Sequence, residues 1–260
     1  MGSFVRHKLG SMDPVADYQR QFGWRPWGRI LDLLPPLGGL NVLDLGCGIG
    51  DLAAELTNRG ARVTGFDINQ QFVDFALDRH IENGKFHCCD LRSLPASGEQ
   101  ADLIWSSFAA AYFTDFSDVL ASWGTRLRPG GWITLTEIDN LFGHEPVKAR
   151  TRALLNAYSQ DALQAGRYDF FMGRKLRGYL EECGFQILTF VTLEDQELSF
   201  QGPASPEVVN AWSRRLAGMG LLQDYCGAEF PSLREDFLGC LERPDHDSTA
   251  KVCCCIAQKR

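Results

Sequence analysis

A glycine-rich turn constrains the fold of this chain more than any other feature of its sequence. Residues 41–45 (Asn-Val-Leu-Asp-Leu) have the composition of a buried strand, and residues 46–50 (Gly-Cys-Gly-Ile-Gly) follow directly. A helical pattern with the apolar residues Leu52, Ala53 and Leu56 comes next. Glycine is needed where the backbone adopts left-handed conformations or approaches a ligand closely. The order strand, glycine turn and helix therefore predicts the first unit of an α/β fold.

The same alternation continues along the chain, as in a parallel sheet with helices on both faces. Further strands are predicted at residues 62–66, 85–88, 101–106 and 131–137, and helices at 70–80 and 116–127. Residues 141–183 hold two helical patterns, which we interpret as a sheet-covering helix and an inserted helical cap. Beyond them we predict strands at 185–191, 197–200 and 249–258 and helices at 206–222 and 233–241. An aromatic-rich helical segment at 13–34 either closes over a pocket or packs on the sheet.

Composition limits the class of protein. With 260 residues, 45% of them hydrophobic and 23% charged, residues 13–260 are expected to form one globular domain. Residues 1–12 begin Met-Gly-Ser and are polar, so we interpret them as a cloning remnant, with a native disordered arm as the alternative. A net charge of −7 argues against nucleic-acid partners. Without a long apolar segment we expect no membrane insertion and a cytoplasmic location.

The nine cysteines favour reduced thiols over disulfides or a metal site. Their number is odd, and no pair has the Cys-x-x-Cys spacing of a zinc or redox motif. Cys253, Cys254 and Cys255 lie in the last predicted strand, where thiols behave as small hydrophobic groups. We therefore expect no metal, and prefer packing to metal or arsenic binding for these three residues.

The glycine turn and a downstream acid indicate the kind of cofactor. Asp67 ends the second predicted strand, where a carboxylate can accept hydrogen bonds from ribose hydroxyls. The spacing is Gly-x-Gly-x-Gly, whereas dinucleotide sites favour Gly-x-Gly-x-x-Gly, and Asp51 in the first helical turn would repel a pyrophosphate. S-adenosylmethionine has a sulfonium and an ammonium group and no phosphate, so it suits an acidic turn. Asp44 beside the glycines could attract its cationic end.

These residues resemble the class I S-adenosylmethionine-dependent methyltransferase family, in the small-molecule branch that includes ubiquinone-biosynthesis-like enzymes. The resemblance covers about residues 41–137 well, including the turn Leu127-Arg128-Pro129-Gly130-Gly131. It implies a doubly wound, seven-stranded, mostly parallel sheet of order 3-2-1-4-5-7-6 with strand seven antiparallel. S-adenosylhomocysteine would be the product of the cofactor.

The resemblance also implies a set of cofactor contacts. The glycine turn would contact the methionine portion, Asp67 the ribose, Ile68 the adenine ring and Asp90 the adenine amino group. The segment after strand four would lie beneath the transferred methyl group. The full predicted set is Asp44, Gly46, Cys47, Gly48, Gly50, Asp67, Ile68, Asp90, Leu91 and Ser106.

Acceptor contacts are predicted where the parallel strands end and in the cap. Methyl transfer needs alignment above all, but an alcohol or phenol benefits from a base, and the candidates are Glu137, Asp139, His144 and Tyr112, with His144 preferred. The arginines of the cap would favour an anionic substrate group. The predicted substrate contacts are Phe108, Tyr112, Arg167, Phe171 and Arg174, with Tyr168 and Phe170 as further cap candidates.

Alternatives remain at this point. A catalytically silent cofactor-binding partner of another enzyme would keep the glycine turn and Asp67 but lack an acceptor pocket. A nicotinamide oxidoreductase would bind NADH. The sequence favours a methyltransferase that acts on oxygen or nitrogen of a small molecule, as a monomer or a homodimer.

Overall fold

A single seven-stranded sheet organises the protein. The computed structural model describes residues 14–95 and 100–260, so the interpretation of residues 1–12 lies outside the described part. The strands are β1 Asn41–Leu45, β2 Arg62–Asp67, β3 Gly84–Cys88, β4 Ala101–Ser107, β5 Leu127–Asp139, β6 Phe185–Leu193 and β7 Lys251–Lys259. Their order is β3-β2-β1-β4-β5-β7-β6, and β7 runs antiparallel to both of its neighbours. The predicted topology is confirmed.

Ten α-helices surround this sheet in the described part of the chain. They are α1 Pro14–Gly23, α2 Trp27–Leu31, α3 Asp51–Asn58, α4 Gln70–Asp78, α5 Phe116–Thr125, α6 Ala149–Gln164, α7 Leu176–Glu182, α8 Pro206–Gly218, α9 Gly220–Cys226 and α10 Phe230–Leu241. Residues at their N-termini determine where several of these helices begin. Gly50 begins α3 with a left-handed φ of 80°. Asn69 caps α4 by accepting the Gln71 N–H, and Ser205 caps α8 by accepting the Val208 N–H.

Two apolar clusters fill the space between the sheet and its helices. Successive side chains of a strand point to opposite faces, and β4 places Trp105 in one cluster and Ile104 in the other. The cluster that includes Trp105 also holds core residues of α2, α3, α6, α8, α9 and α10. The cluster that includes Ile104 holds core residues of α5 and α7. Burial of each large side chain contributes about 1.5–3 kcal/mol.

The helices on the Trp105 side form a cap from two separate stretches of chain. α6 follows β5, whereas α8, α9 and α10 lie between β6 and β7, and we call these four helices the cap. α6 contacts α9 and α10, and α10 also contacts α8. A two-residue ribbon pairs His144–Glu145 with Asp247–Ser248 beside α10. α7, from the end of the predicted 141–183 insertion, packs on the sheet beside α5 instead.

Two predictions about the region between β6 and β7 are wrong. Residues 197–200 form no strand, because the Asp195 carboxylate accepts the backbone N–H groups of Glu197 and Leu198 and closes a turn. We call residues 195–198 the acidic turn. The helix predicted at 206–222 is divided into α8 and α9, which meet between Gly218 and Gly220. Glycine lowers helix stability by about 1 kcal/mol per residue, which favours a break there.

Two further findings concern the thiols and the helices. Cys253, Cys254 and Cys255 are buried in β7, which confirms the strand predicted for them, and all nine cysteines are free thiols. Within residues 14–95 and 100–260, none of the helices has the length and hydropathy needed to cross a bilayer.

Candidate cofactor and acceptor site

The glycine turn adopts a backbone that only glycine takes readily. Gly46, Gly48 and Gly50 all have positive φ values, of 84°, 51° and 80°. A Cβ atom on Gly46 would lie 3.0 Å from the Ala109 Cβ, and one on Gly48 would lie 3.3 Å from Cε1 of Tyr18. The turn therefore brings bare backbone against the segment that follows β4 on one side and against α1 on the other.

Asp67 connects the glycine turn to the next helix. Its Oδ2 accepts the Gly48 N–H at 2.8 Å, and its Oδ1 accepts the Asn69 N–H at 2.8 Å. Burial raises the pKa of Asp67, and these hydrogen bonds oppose that rise. A third backbone N–H, that of Ile68, also acts on this carboxylate, which is thus fixed at the end of β2, where ribose recognition requires an acceptor.

Asp44 is a buried acid that lacks a partner on one oxygen. It is 2% exposed, and its Oδ2 has no hydrogen-bond partner among the described residues. Burial, followed by the charge of Asp67, raises the pKa of Asp44 to about 7. A carboxylate in this position is stabilised by a cation, and the ammonium and sulfonium groups of S-adenosylmethionine meet that need.

Two other residues of the turn act differently from the sequence expectation. Asp51 forms an ion pair with Arg79 at 2.7 Å, which balances the charge that we expected to repel a pyrophosphate. The preference for a cationic ligand therefore rests on Asp44. Cys47 is buried against Gly65, where a Cβ atom would lie 2.9 Å from both Cβ and Sγ of Cys47. Its side chain packs on β2, so only its backbone can contribute to a ligand site.

Two of the residues that are predicted to contact the adenine are an exposed apolar side chain, Ile68, and an acid that caps a short turn, Asp90. Ile68 is 48% exposed, as expected for a residue that packs on a planar ring only when a ligand is bound. Asp90 Oδ1 accepts the Arg92 N–H at 2.9 Å and begins a short 3₁₀ turn, which leaves Oδ2 for another donor. Leu91 is buried in the core, and its carbonyl accepts the indole N–H of Trp123.

The hydroxyl of Ser106 is used within the sheet. Its hydroxyl donates to the Leu45 carbonyl at 2.7 Å, and the side chain is buried between β1 and β4. The only hydroxyl proton is already used, so Ser106 supports the sheet under the glycine turn and offers no donor to a ligand.

Three tyrosines are candidates for an acceptor surface near the glycine turn. Tyr112 is 59% exposed and Tyr18 is 44% exposed, and the rings of Tyr112 and Tyr168 meet edge-on at 4.9 Å. Burial raises the pKa of all three phenols, although the side chains of Tyr18 and Tyr112 keep accessible surface. The charge of Arg215 lowers each of these pKa values. We call the three tyrosine side chains the tyrosine chamber.

The chamber adjoins the cofactor residues. Tyr18 lies over Gly48, and the charge of Asp67 raises the pKa of both Tyr18 and Tyr112. α1 therefore covers the glycine turn through Tyr18, whereas Trp27 of α2 is buried and packs on Trp105 at 6.1 Å. Both interpretations of the N-terminal aromatic segment hold, each for a different residue.

Phe108 lies at the strand end as predicted, in an unusual backbone conformation. Its φ is 58°, which is strained for a bulky side chain. The Arg25 guanidinium lies 4.5 Å from the ring centroid, and Trp27 packs on it at 6.1 Å. Arg25 in turn forms an ion pair with Asp195 of the acidic turn at 2.6 Å. Strain of this kind often accompanies a functional site.

The predicted cap arginines are already paired. Arg174 binds both oxygens of Asp139, at 2.7 and 2.9 Å, and lies over the Phe171 ring. Arg167 forms an exposed ion pair with Asp161. Asp139 is therefore not a free base, and the structure does not bring Arg167, Arg174 or Phe171 into the tyrosine chamber by any contact.

The ring of His144 is buried, which prevents it from acting as a base on an acceptor. Its ring is 0% exposed, and Nδ1 lies 3.0 Å from Nε2 of His246. Phe200, Trp212 and Phe237 pack around it. Burial and the neighbouring charges lower the pKa of His144 to about 3. Because no part of the ring is accessible to an acceptor, the prediction that His144 is the catalytic base is not supported.

This burial predicts acid sensitivity. The folded-state pKa of His144 is below its ordinary value of 6.5, so the stabilising effect is complete above pH 6.5 and is lost as the pH falls toward 3. We expect the free energy of unfolding to fall over that range and to fall less steeply in His144→Gln, as measured by urea unfolding. His87→Gln, at an exposed histidine of β3, is the control. Parallel pH profiles for the wild type and His144→Gln would contradict this account.

Glu137 stabilises the turn that carries Tyr112. It is fully buried, its Oε1 accepts the Ala111 N–H at 3.1 Å, and its Oε2 has no partner among the described residues. Burial raises the pKa of Glu137 to about 8. Ala111 belongs to the 3₁₀ turn Ala110–Tyr112, so Glu137 holds the turn that presents Tyr112. Among the expected base candidates, only Tyr112 has an exposed side chain.

Comparisons with known proteins agree with this geometry. Residues 42–131 match the sequence model of a family described as a methyltransferase domain. The biotin biosynthesis bifunctional protein BioHC of Cellvibrio japonicus is 34% identical over 181 residues, which are 69% of this chain and 34% of that protein. A ubiquinone biosynthesis O-methyltransferase of Coxiella burnetii is 26% identical over 206 residues, 71% of this chain and 86% of that protein.

A solved structure has the same fold. Geranyl diphosphate methyltransferase in complex with S-adenosylmethionine superimposes with a TM-score of 0.55 at 17% identity, over 94% of this chain and 85% of that one. The chain spans less than half the length of the first four curated relatives that it matches.

Proposed function

We propose that this chain, whose residues 42–131 match a methyltransferase domain, transfers a methyl group from S-adenosylmethionine to an oxygen or nitrogen of a small organic molecule. The observation that carries the proposal is the position of the tyrosine chamber. Tyr18 lies against Gly48 of the cofactor turn and shares the chamber with Tyr112 and Tyr168. A cofactor site with adjoining aromatic side chains, on which an acceptor can pack, suits methyl transfer between two bound molecules.

The cofactor is S-adenosylmethionine, and the residues present fit it. The unpartnered Oδ2 of Asp44 suits a cationic group, and the fixed carboxylate of Asp67 suits the ribose hydroxyls. Ile68 and Asp90 would contact the adenine ring and its amino group. When bound, the cofactor supplies an electrophilic methyl group on a sulfonium.

The chain contributes to the reaction by enclosure and alignment. Tyr18 excludes water from above the glycine turn, and Tyr112 and Tyr168 form a wall for the acceptor. Glu137 fixes the Tyr112 turn through the Ala111 N–H, so the wall is held before a ligand arrives. Alignment of this kind can supply most of the rate of an in-line displacement. An acceptor that arrives unprotonated needs no base.

A binding and product assay tests the proposal. We would titrate the protein with S-adenosylmethionine and S-adenosylhomocysteine by calorimetry, then screen a mixed metabolite library for products heavier by one methyl group. Binding of both ligands with a methylated product is the expected result. Cofactor binding without any product would identify a silent cofactor-binding partner of another enzyme, and absence of binding would overturn the cofactor assignment.

Cofactor affinity should depend on pH through Asp44. Since the pKa of Asp44 is about 7 in the free protein, a proton competes with a cationic ligand below that pH. Affinity for S-adenosylmethionine should fall about tenfold per pH unit below pH 7 and level off above it. Calorimetry from pH 5.5 to 8.5 measures this effect, and Asp44→Asn should abolish it. A flat wild-type profile would contradict it. S-adenosylhomocysteine, which keeps the ammonium but lacks the sulfonium, indicates which cation Asp44 contacts.

A further inference from the structure

Phe108 lies directly after β4, beside the cofactor turn. The residue that follows it is Ala109, whose Cβ lies 3.0 Å from the position that a Cβ atom on Gly46 would take. The Phe108 N–H donates to the Thr136 carbonyl of β5 at 2.8 Å, so the neighbouring strand fixes its backbone. The side chain is half-buried. Part of its ring is therefore available to a molecule bound at this edge of the sheet, where open parallel sheets bind their ligands.

The backbone and the packing of Phe108 both oppose folding. Its φ of 58° lies in the left-handed region, which a bulky side chain rarely adopts. Trp27 packs against its ring at 6.1 Å, and the buried indole N–H of Trp27 has no hydrogen-bond partner among the described residues. A buried donor without a partner destabilises the folded state. Unfavourable features that meet at one residue are expected where function requires them.

A buried ion pair covers the same ring. The Arg25 Cζ lies 4.5 Å from the centroid of the Phe108 ring. The Arg25 Nε lies 2.6 Å from Oδ2 of Asp195, and the two side chains are only 4% and 1% exposed. These two atoms are not aligned as a hydrogen bond, so their attraction is mainly electrostatic. Desolvation of both charges opposes folding, which makes such a pair weak evidence for a role in stability.

The ion pair fixes the guanidinium on the ring. The Oδ1 of Asp195 accepts two backbone N–H groups of the acidic turn, at 2.8 and 2.9 Å, so the carboxylate is itself held in place. A planar guanidinium stacks on an aromatic face, which an ammonium cannot do in the same way. With Arg25 over the ring and Trp27 against it, the side chain of Phe108 is restricted in orientation despite its strained backbone.

We propose that Arg25 is a positioning residue for methyl transfer, because its guanidinium holds the Phe108 ring in the orientation that aligns the acceptor with the methyl group. The accessible part of the ring packs on an apolar part of the acceptor. Arg25 acts through Phe108, since its own side chain is buried. This inference rests on the proposed function, because it names what orients the acceptor of that reaction.

The variant Arg25→Lys separates the ion pair from the stacking. Lysine keeps the charge that pairs with Asp195 but has no planar group to lie on the ring. We expect it to bind S-adenosylhomocysteine with wild-type affinity, measured by calorimetry. At saturating S-adenosylmethionine it should form methylated products from the mixed metabolite library about tenfold or more slowly, because misalignment lowers the rate of the displacement. Arg177→Lys, at an exposed ion pair with Glu181, is the matched control. Equal rates in Arg25→Lys and the wild type would overturn the proposal.

A fluorine label reports on the ring itself. We would incorporate para-fluorophenylalanine at position 108 alone and record fluorine NMR spectra of the protein saturated with S-adenosylhomocysteine. Arg25→Lys should shift and broaden this resonance, since the ring samples more than one orientation. A purely structural role of the ion pair would leave the resonance unchanged, and that result would overturn the proposal. The same label at Phe190, an exposed residue of β6, is the control and should give one spectrum in both proteins.

A second variant decides the question if lysine disturbs the fold. Arg25→Met combined with Asp195→Asn removes both buried charges, while asparagine still supplies an oxygen to the acidic turn. Replacement of a buried ion pair by neutral groups is often neutral for stability. The double variant should unfold at or above the wild-type temperature and still form methylated products about tenfold or more slowly. A wild-type rate would overturn the proposal.

The outcomes distinguish this inference from its premise. If the wild type forms no methylated product, the proposed function fails, and the alignment role of Phe108 fails with it. If the wild type is active and both Arg25 variants match its rate, only the inference is wrong. A loss of affinity for S-adenosylhomocysteine in Arg25→Lys, with an unchanged rate at saturating cofactor, would assign Arg25 to the cofactor site and also overturn the inference.

Discussion

Replacement of Asp44 by asparagine is expected to make the free protein more stable at neutral pH while weakening its binding of S-adenosylmethionine. The carboxylate is buried, lacks a partner on Oδ2 and is repelled by Asp67, so its ionisation opposes folding. The same features make it a good partner for a cationic ligand. A gain in stability and a loss of affinity from one substitution is the signature of a residue retained for binding.

The sign and size of the stability change follow from the pKa. The folded-state pKa of Asp44 is raised to about 7, so its contribution to stability is fully present below its ordinary value of 3.8 and is lost as the pH rises through 7. The loss above pH 7 is about 4 kcal/mol at most. Asparagine removes this loss, so the unfolding temperatures of variant and wild type should diverge with rising pH. Calorimetric unfolding scans from pH 4 to 8 measure the divergence.

The affinity change is measured on the same samples. Loss of a charge-assisted contact should weaken S-adenosylmethionine binding by about 1.5–3 kcal/mol. Asp78→Asn, at an exposed carboxylate of α4, is the control and should change neither quantity. A variant that is less stable than the wild type at pH 8, with unchanged affinity, would show that Asp44 is structural.

Asp67→Ala should weaken cofactor binding more than any other single change at the turn. It removes the acceptor for the ribose hydroxyls and also the hydrogen bonds that hold Gly48 and Asn69. We expect a loss of at least about 1.5–3 kcal/mol in S-adenosylmethionine affinity, measured by calorimetry. Because the charge of Asp67 helps to raise the pKa of Asp44, the pH midpoint of the remaining binding should also move down.

Comparison with a second variant separates the two effects of Asp67. Asp67→Asn keeps one oxygen acceptor but removes the charge, so it should shift the pH midpoint as Asp67→Ala does while losing less affinity. The exposed Asp78→Ala serves as the control. Unchanged affinity in Asp67→Ala would refute the ribose role.

The sheet and the cofactor turn could be predicted because their causes are local in sequence. β1 is predicted at the same residues at which it is observed, since an apolar run followed by glycines specifies both its end and the turn. Asp67 could be found because a polar residue at the end of a parallel strand lies at the ligand-binding edge. Gly46, Gly48 and Gly50 have the positive φ values that the pattern implies.

The acceptor side could not be predicted because its partners are distant in sequence. From the sequence alone, His144 is an acceptable candidate for the base. In the structure its ring is packed against His246, which lies 102 residues later in the chain. Ser106 likewise donates to the Leu45 carbonyl, 61 residues earlier. No local sequence pattern distinguishes a free polar side chain from one whose hydrogen-bond partner lies in a distant part of the chain.

The secondary-structure prediction is wrong where side-chain hydrogen bonds take the place of backbone pairing between strands. Residues 197–200 alternate polar and apolar types, and Leu198 is buried as a strand residue would be. Asp195 nevertheless binds the backbone of this segment and turns it. Arg215 has no sequence signal either, because an arginine on an amphipathic helix is usually solvated, and only the fold brings it to Glu197.

The acidic turn also limits how freely the two halves of the site can diverge. Asp195 pairs with Arg25, which follows the helix that carries Tyr18, and Glu197 pairs with Arg215 of α8. A shift of these few residues would displace the segment that follows the Tyr18 helix and α8 of the cap together. The positions of the cofactor cover and of the cap are therefore mechanically coupled, and redesign of α8 should begin with this turn held constant.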